Sequence, residues 1–368
     1  MVNTRSFLEK ICSSVSVILT LILLAACAPP NSKMNATEVV SLSPTIQDIH
    51  HNSITPSLLA EWTMGEVKDM AWSPDSRMFA VNYYLQGNNI QAFDVKSLNR
   101  MWTSENSLAM DLVFTPDGKL IAESNSFVGV LYLRSVGQGD VVRQIKSENC
   151  VRSGQAIIAN PRENTLLIAD TNELSGLNAT NIVIISQWNL GTGQCNNLIQ
   201  YTGGFNVFDL NSGNTLLAYG GEGKDDSVVI WDMEKQAEIC RIKKIDFGRF
   251  VPGQNTLAVT RDQKIVFIDA SSCQELRELN LTPTSVNYFS FSPDGRWFAI
   301  ASESIQIMET STGKTIAQVP LPENSVLSSS MLFDGIVFSP DGRFLLLAFS
   351  TATNGIISSK VQLWQVQQ

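Results

Sequence analysis

The hexapeptide FSPDGR occurs at Phe291–Arg296 and again at Phe338–Arg343. Its Pro-Asp-Gly core favours a tight turn, because proline presets φ, aspartate hydrogen-bonds to the local backbone and glycine tolerates positive φ. A single copy would indicate a surface turn. Two copies in one chain indicate that the turn belongs to a larger repeated unit.

Related segments recur along the chain after residue 56. Each consists of one or two apolar residues, a turn rich in Pro, Asp, Asn or Gly, and then an apolar run. The steps between successive turns are 40 to 51 residues, close to the period of propeller blades. Aligned on the turn, the seven copies begin at Pro74, Pro116, Pro161, Ser212, Pro252, Pro293 and Pro340.

Each copy has the same internal order of segments. An apolar strand follows the turn, then a variable polar loop, then a strand such as SVVIWDM (227–233), and in most copies one further strand. Short strands separated by Gly, Asn, Asp and Pro clusters are typical of all-β proteins. Four strands per repeat and seven repeats predict an all-β fold, a seven-bladed β-propeller of four-stranded blades. An array of β-sandwiches and a solenoid are the alternatives.

The last copy ends after its third strand, KVQLWQV (360–366), and so lacks a fourth. A spare strand, SLLAEW at Ser57–Trp62, precedes the first copy. We expect this N-terminal strand to complete the last blade, because doing so would remove the open edge of the ring. The propeller is therefore predicted to span residues 57–368.

The repeats carry a family resemblance. The SPDG turn before an apolar strand, and a later strand ending in Trp231-Asp232, resemble the WD-repeat family; the SPDG turn is also similar to that of TolB-like propellers. The resemblance covers Ser57–Gln368 and implies a propeller fold. The chain departs from typical WD repeats, because it has one Trp-Asp pair and no Gly-His before any first strand. The resemblance therefore does not assign a subfamily.

The first 26 residues have the features of an export signal. Arg5 and Lys10 form a basic start, and residues 11–26 are apolar apart from small polar residues. Leu24–Cys27 (LAAC) resembles the lipobox of bacterial lipoproteins, which implies a lipid anchor on Cys27 and a location in the cell envelope, on the extracytoplasmic side of a membrane. The alternative is an ordinary signal peptide with a chance cysteine. Residues 27–56 are rich in Ser, Thr, Asn and Pro, and we expect a flexible tether.

The composition excludes several kinds of chemistry. The predicted propeller contains no histidine, because His50 and His51 both lie in the tether. This excludes a Ser-His-Asp triad and a histidine-based metal site within the domain. The net charge of −9 argues against nucleic acid as a partner. We expect no cofactor and no metal.

Two features leave alternatives open. The loop GGEGKDDS (220–227) contains Glu222, Asp225 and Asp226, which could chelate Ca²⁺ but lack the alternating spacing of a calcium loop; a solvated acidic loop is the simpler interpretation. The four cysteines after the export segment could form up to two disulfides, with three possible pairings, or remain thiols. They are Cys150, Cys195, Cys240 and Cys273.

The remaining signal is a contrast between uniform turns and variable loops. The Pro-Asp-Gly turns are short and alike, whereas the loops at the other ends of the strands differ in length and composition, as expected of a scaffold with one binding face. We therefore expect a non-catalytic platform for a protein partner. The alternative is a glycan or lactone hydrolase that uses carboxylates in the central channel. Candidate contact residues on the variable loops are Tyr83, Tyr84, Glu173, Asp225, Asp226, Met331 and Phe333.

The lipid anchor is directly testable. Two or three acyl chains on Cys27 would hold the protein on a membrane, since each buried methylene contributes about 0.8 kcal/mol. We expect Cys27→Ala to abolish incorporation of radiolabelled fatty acid and to yield soluble or unprocessed protein. Unchanged labelling of the variant would exclude Cys27 as the anchor.

Overall fold

The computed structural model describes residues 54–85, 87–107, 109–125, 130–146, 150, 155–172, 182–222, 226–280, 289–301, 304–321, 326–327, 335–353 and 356–367. Residues 49–368 form one compact unit, separate from residues 1–48. The predicted signal peptide and the residues Cys27, His50 and His51 lie outside the described ranges. The part of the chain that the structure describes contains no helix of the length and hydrophobicity needed to cross a bilayer.

The described residues form strands and turns arranged as seven antiparallel sheets, which are the blades of the predicted propeller. The first blade consists of β2 (Glu66–Trp72), β3 (Met78–Tyr84), β4 (Asn88–Asp94) and β5 (Arg100–Ser107), and the second of β6 (Ala109–Phe114), β7 (Leu120–Asn125), β8 (Val130–Ser135) and β9 (Val141–Lys146). The third consists of β10 (Ala156–Asn160), β11 (Thr165–Asn172), β12 (Ile182–Asn189) and β13 (Cys195–Thr202), and the fourth of β14 (Gly204–Leu210), β15 (Leu216–Glu222), β16 (Ser227–Asp232) and β17 (Ala237–Lys243).

The fifth blade consists of β18 (Phe247–Phe250), β19 (Thr256–Arg261), β20 (Lys264–Asp269) and β21 (Glu275–Asn280), and the sixth of β22 (Phe289–Phe291), β23 (Trp297–Ala301), β24 (Ser304–Glu309) and β25 (Thr315–Pro320). The seventh contains β27 (Ile336–Phe338), β28 (Phe344–Thr353), β29 (Ile356–Gln365), β1 (Ser57–Met64) and the short β26 (Val326–Leu327). The all-β, seven-bladed fold expected from the repeat is confirmed.

The N-terminal strand β1 pairs antiparallel with β29, with Ser57 opposite Gln365 and Met64 opposite Ser359. The Glu61 carboxylate accepts hydrogen bonds from Lys360 Nζ at 2.5 Å and from Gln362 Nε2 at 2.7 Å. The bond from Lys360 lowers the pKa of Glu61 below its ordinary value. The strand is thus tied to the last blade through side chains as well as through the backbone ladder.

Packing between blades explains why the strands have nearly continuous apolar sequences. The described core consists of seven apolar clusters, each at the junction of two neighbouring blades. In β28, Leu345 and Leu347 face the sixth blade, whereas Phe344, Leu346 and Ala348 face the first. Successive side chains of a strand point to opposite faces, so a strand with a blade on each side is apolar at every position. All the tryptophans in the described part of the chain belong to or pack against these clusters; they are Trp62, Trp72, Trp102, Trp188, Trp231, Trp297 and Trp364.

The outer strands carry a second set of contacts between blades. A β-bulge near the start of the fourth strand turns the following side chain toward the next blade. In three blades this side chain donates a hydrogen bond to a carbonyl in the turn between the third and fourth strands of its neighbour. These bonds run from Trp102 Nε1 to Val136 O (2.7 Å), from Arg143 Nη1 to Leu190 O (2.6 Å) and from Arg277 Nη2 to Thr310 O (2.6 Å).

The described cysteines form two disulfides, which resolves the pairing that the sequence left open. Cys240, at the same bulge position of the fourth blade, is bonded to Cys273 in the fifth blade. Cys150, in the connection from the second blade to the third, is bonded to Cys195 on β13. The bonded cysteines are 45 and 33 residues apart in sequence. By restricting the unfolded chain, each disulfide is expected to stabilise the fold by about 4 kcal/mol.

The second and third strands of the seventh blade extend into a long hairpin. Residues 350–353 and 356–359 continue the ladder between β28 and β29, from Ser350 opposite Ser359 to Thr353 opposite Ile356. The alternation of Ser and Thr with Ala and Ile is compatible with strand structure, and a two-residue connection suffices to reverse the chain. Both strands are therefore 10 residues long.

The pairing of β1 leads to a prediction about stability. Removing residues up to Trp62 would expose the edge of β29 and delete a ring that packs 4.8 Å from Phe93 and 5.4 Å from Phe79, centroid to centroid. We expect a loss of at least about 3 kcal/mol of unfolding free energy, as for truncation of a large core side chain. Chemical denaturation measures the loss. Deletion of residues 28–53 is the control, and equal stability of the two truncated proteins would contradict a structural role for β1.

Candidate interaction face and central carboxyl groups

The antiparallel order of each blade divides the ring into two faces. Turns between the first and second strands, and between the third and fourth, lie on one face, because adjacent strands run in opposite directions. Loops between the second and third strands, and from the fourth strand to the next blade, lie on the other. We call these the turn face and the loop face.

Four of the seven turns between first and second strands share one hydrogen-bond network. In the first blade, Ser73 Oγ donates to Asp75 Oδ1 at 2.7 Å and accepts from Met78 N at 2.9 Å, while Asp75 Oδ1 also accepts from Arg77 N at 3.1 Å. The hydroxyl group before the proline therefore closes the turn, and its bond lowers the pKa of Asp75. The same hydroxyl-to-carboxylate bond occurs in three other blades, at Thr115–Asp117, Ser292–Asp294 and Ser339–Asp341.

The turn requires one residue with positive φ, which explains its glycine. Gly295 and Gly342 have φ values of 66° and 72° at this position. Glycine adopts this conformation without the steric cost that a Cβ imposes. The first blade has Ser76 here instead, with φ of 59°, and its Oγ accepts a hydrogen bond from Asp341 N in the seventh blade at 2.9 Å. FSPDGR is therefore a structural element of the scaffold.

The loop face contains those candidate contact residues that the structure describes. Tyr84 is 52 % exposed and its neighbour Leu85 is 57 % exposed. Tyr83 is buried, and its hydroxyl accepts a hydrogen bond from Gln91 Nε2 at 2.9 Å, so it supports the loop from inside. Asp226 is exposed at the start of the fourth blade's third strand. Glu173, Asp225, Met331 and Phe333 lie outside the described residues.

The first strands line the centre of the ring, where those of successive blades lie against each other. Two of them carry carboxyl groups that meet. The backbone N–H of Leu112 donates to Asp69 Oδ2 and to Asp111 Oδ1, each at 2.8 Å. Asp111 Oδ2 in turn accepts from Ile157 N in the third blade at 2.8 Å. Each carboxyl group therefore ties its own first strand to that of the next blade.

Burial raises the pKa of both Asp69 and Asp111, and that of Asp69 is raised further by the adjacent charge of Asp111. Both carboxyl groups accept from the same backbone N–H, so an oxygen of one lies next to an oxygen of the other. Two adjacent carboxyl groups with little access to water cannot both ionise without repulsion, so we expect the pair to share a proton. A shared proton of this kind is also the chemistry of paired catalytic acids.

A third carboxylate, which is half-buried, lies further round the ring. Asp209 Oδ2 accepts from Phe250 N in the fifth blade at 2.7 Å. The guanidinium group of Arg249 lies 4.0 Å from Asp209 Oδ1 and donates to Phe208 O at 3.3 Å. Burial raises the pKa of Asp209, and the charge of Arg249 opposes that change. Like the first two, this carboxylate bonds to the backbone of the neighbouring blade.

These carboxyl groups are not among the candidate residues predicted from the sequence, although the repeat contains a signal for two of them. Asp69 and Asp111 each stand five residues before the turn proline, Pro74 and Pro116. Asp209 occupies a different register, three residues before Ser212, and no repeat pattern distinguishes it. No group of three or more His, Cys, Asp or Glu side chains that could hold a metal occurs among the described residues.

Comparison with known proteins identifies the fold. No protein-family model and no curated protein sequence matches the chain. Among solved structures, 1322 chains are similar, so the fold by itself selects no single function. One of them, from the "Crystal Structure of Mitotic Checkpoint Complex", superposes with a TM-score of 0.64 at 15 % identity, covering 92 % of this chain and 100 % of that one. The likeness shows the propeller fold.

The carboxyl pair predicts a specific pH dependence. A raised pKa means that the folded protein holds the proton more tightly than the unfolded chain does. The stabilisation is complete below the ordinary aspartate pKa and is lost as the pH rises through the raised value. We therefore expect the difference in unfolding free energy, wild type minus Asp69→Asn, to decrease as the pH is raised from 4 to 8. Urea denaturation at each pH measures this difference.

A matched control is Asp94→Asn, which replaces an exposed carboxylate whose pKa is lowered by hydrogen bonds from Ser97. For this variant we expect the difference to change only at the acid end, and in the opposite direction, since a lowered pKa stabilises the fold above it. A constant or increasing difference for Asp69→Asn across pH 4–8 would contradict the shared proton.

Proposed function

We propose that the protein is a lipid-anchored lipoprotein on the extracytoplasmic side of a membrane, where its propeller is a non-catalytic platform for another envelope or extracellular protein. The observation that carries the proposal is the difference between the two faces. The turn face repeats one hydrogen-bond network, whereas the loop face exposes apolar side chains, including Tyr84, Leu85 and Met110. Exposed aromatic and apolar side chains on a rigid scaffold are typical of protein-binding sites.

The position of the N-terminal strand supports this arrangement. Ser57 pairs with Gln365 at the turn-face end of β29, so the chain enters the propeller on the turn face. Ile54, the first described residue, packs against the apolar cluster between the sixth and seventh blades. A tether from Cys27 would therefore join the propeller on the turn face.

The disulfides support a location outside the cytosol. Disulfides form and persist in oxidising compartments and are rare where thiols are kept reduced. The bond Cys240–Cys273 joins neighbouring blades, and Cys150–Cys195 joins the connection between the second and third blades to β13. Their formation is compatible with export directed by the N-terminal signal.

A hydrolase that uses channel carboxylates is the alternative function. Its strongest support is the proton shared by Asp69 and Asp111. The hydrogen bonds of these groups argue for a structural role, because the oxygens of both carboxyl groups accept backbone N–H groups. A catalytic acid or nucleophile needs an oxygen free to reach the substrate.

The platform predicts that apolar residues of the loop face bind the partner. We expect Tyr84→Ser/Leu85→Ser/Met110→Ser to weaken capture of the partner from envelope extracts at least tenfold, because exposed apolar and aromatic anchors dominate binding energy. The control is Met101→Ser/Val142→Ser/Leu276→Ser, which changes equally exposed apolar residues on the outer strands. Loss of capture by the control alone would contradict the assignment of the loop face.

The same purified protein can be tested for the alternative. We expect no turnover of a panel of glycans and lactones by the wild type. Turnover that Asp69→Asn or Asp111→Asn abolishes, in variants that remain folded, would overturn the non-catalytic function.

A further inference from the structure

A small cavity opens on the loop face between the third and fourth blades. It has a volume of about 220 Å³, which is below the roughly 300–1,000 Å³ of most small-molecule sites. Its walls include Tyr201 from β13, Tyr219 from β15, Asp226 and Arg241. The cavity is of a size to hold one long side chain.

The local sequence explains how the cavity forms. The rings of Tyr201 and Tyr219 lie 5.1 Å apart, centroid to centroid, across the blade junction. Gly220 follows with φ of 105°, and a Cβ there would lie 2.5 Å from Ser227 O. Only glycine allows the second and third strands to approach this closely, and the approach places Asp226 beside the two rings.

Two polar groups in the cavity wall have no partner among the described residues. Tyr219 is only 4 % exposed, and its hydroxyl makes no hydrogen bond within the described ranges. Burial raises the pKa of Tyr219 to about 12, so the hydroxyl remains neutral. The carboxylate of Asp226 likewise forms no hydrogen bond or ion pair in the described part of the chain. Asp226 is exposed, and both groups can accept a hydrogen bond from a side chain that enters the cavity.

The charges around the cavity favour a cation. Glu238 compensates Arg241 through two bonds of 2.7 Å, from Nε to Oε1 and from Nη2 to Oε2. Burial raises the pKa of Asp246, and the nearby charges of Asp226 and Asp262 raise it further. The neighbouring Lys243 and Lys244 form no ion pair with Asp226 within the described residues. The carboxylate of Asp226 in the cavity wall is therefore available to a cation.

We infer that this cavity binds a lysine or arginine side chain of the protein partner. The ammonium or guanidinium group donates to the Asp226 carboxylate and to the Tyr219 hydroxyl, and the alkyl stem lies against the two tyrosine rings. Aromatic faces attract cations, and carboxylates form strong charge-assisted hydrogen bonds with them. The inference rests on the proposed platform function and specifies one contact on the loop face.

Titration of the purified full-length protein with four model compounds tests the inference without the partner. The probes are the N-acetyl methylamides of lysine, arginine, norleucine and glutamate, with saturation-transfer NMR and calorimetry as readouts. We expect saturable binding of the lysine or arginine compound in the millimolar range, and at least tenfold weaker binding of norleucine and glutamate.

Two variants locate the binding in this cavity. We expect Asp226→Asn to weaken binding of the cationic probe about tenfold and Tyr219→Phe to weaken it about threefold, while Asp294→Asn on the turn face leaves it unchanged. Four results would overturn the inference. They are equal binding of the norleucine compound, preferential binding of the glutamate compound, unchanged binding of the cationic probe by Asp226→Asn, and no binding of either cationic probe.

The outcome is separable from that of the platform proposal. Capture of a partner through Tyr84, Leu85 and Met110, together with no cation binding, overturns the cavity assignment alone. Cation binding that requires Asp226, with no partner captured, supports the cavity and counts against the platform.

Discussion

No blade of this propeller can bury its own two faces; each does so only against its neighbours. Every described apolar cluster joins two blades, and the cluster formed by Phe344, Leu346 and Ala348 with the first blade joins the two ends of the chain. The ring therefore needs all its junctions at once, which explains why strands such as β28 are apolar at successive positions. At about 25 cal/mol per Å² of apolar surface, these junctions supply the main driving force for folding.

Polar groups also join neighbouring blades, and they do so near the centre of the ring, on the turn face and at the rim. Near the centre, Asp69 and Asp111 bond to the backbone of the next blade. On the turn face, Ser76 accepts from the turn of the seventh blade. At the rim, Arg143 bonds the carbonyl of Leu190. The buried carboxyl groups would be costly in isolation, but each lies where it joins two blades. Because these carboxyl groups bond to the backbone of the next blade, a structural role explains them better than a catalytic role.

The repeat predicted the fold well because turn chemistry and strand pattern are local. The positions of Pro, Asp and Gly identify the turn. The apolar runs that follow it identify strands that are covered by a neighbouring blade on each face. The sequence did not predict the disulfide pairing, because Cys240 and Cys273 meet only once a bulge turns one of them toward the next blade. Nor did it predict that Tyr83 is buried beside an exposed Tyr84, or that Tyr201 and Tyr219 enclose a cavity, since these outcomes depend on how neighbouring blades meet.

The repeated residues build the ring, and we propose that the loop face carries the function. Site-specific photo-crosslinking in intact cells tests it most directly, with a photoreactive amino acid placed at Leu85 or Asp226 on the loop face, and at Arg77, Lys119 or Arg296 on the turn face. The account predicts a discrete adduct with one partner protein from the loop-face positions and none from the turn-face positions. The same adduct from the turn-face positions alone would contradict it.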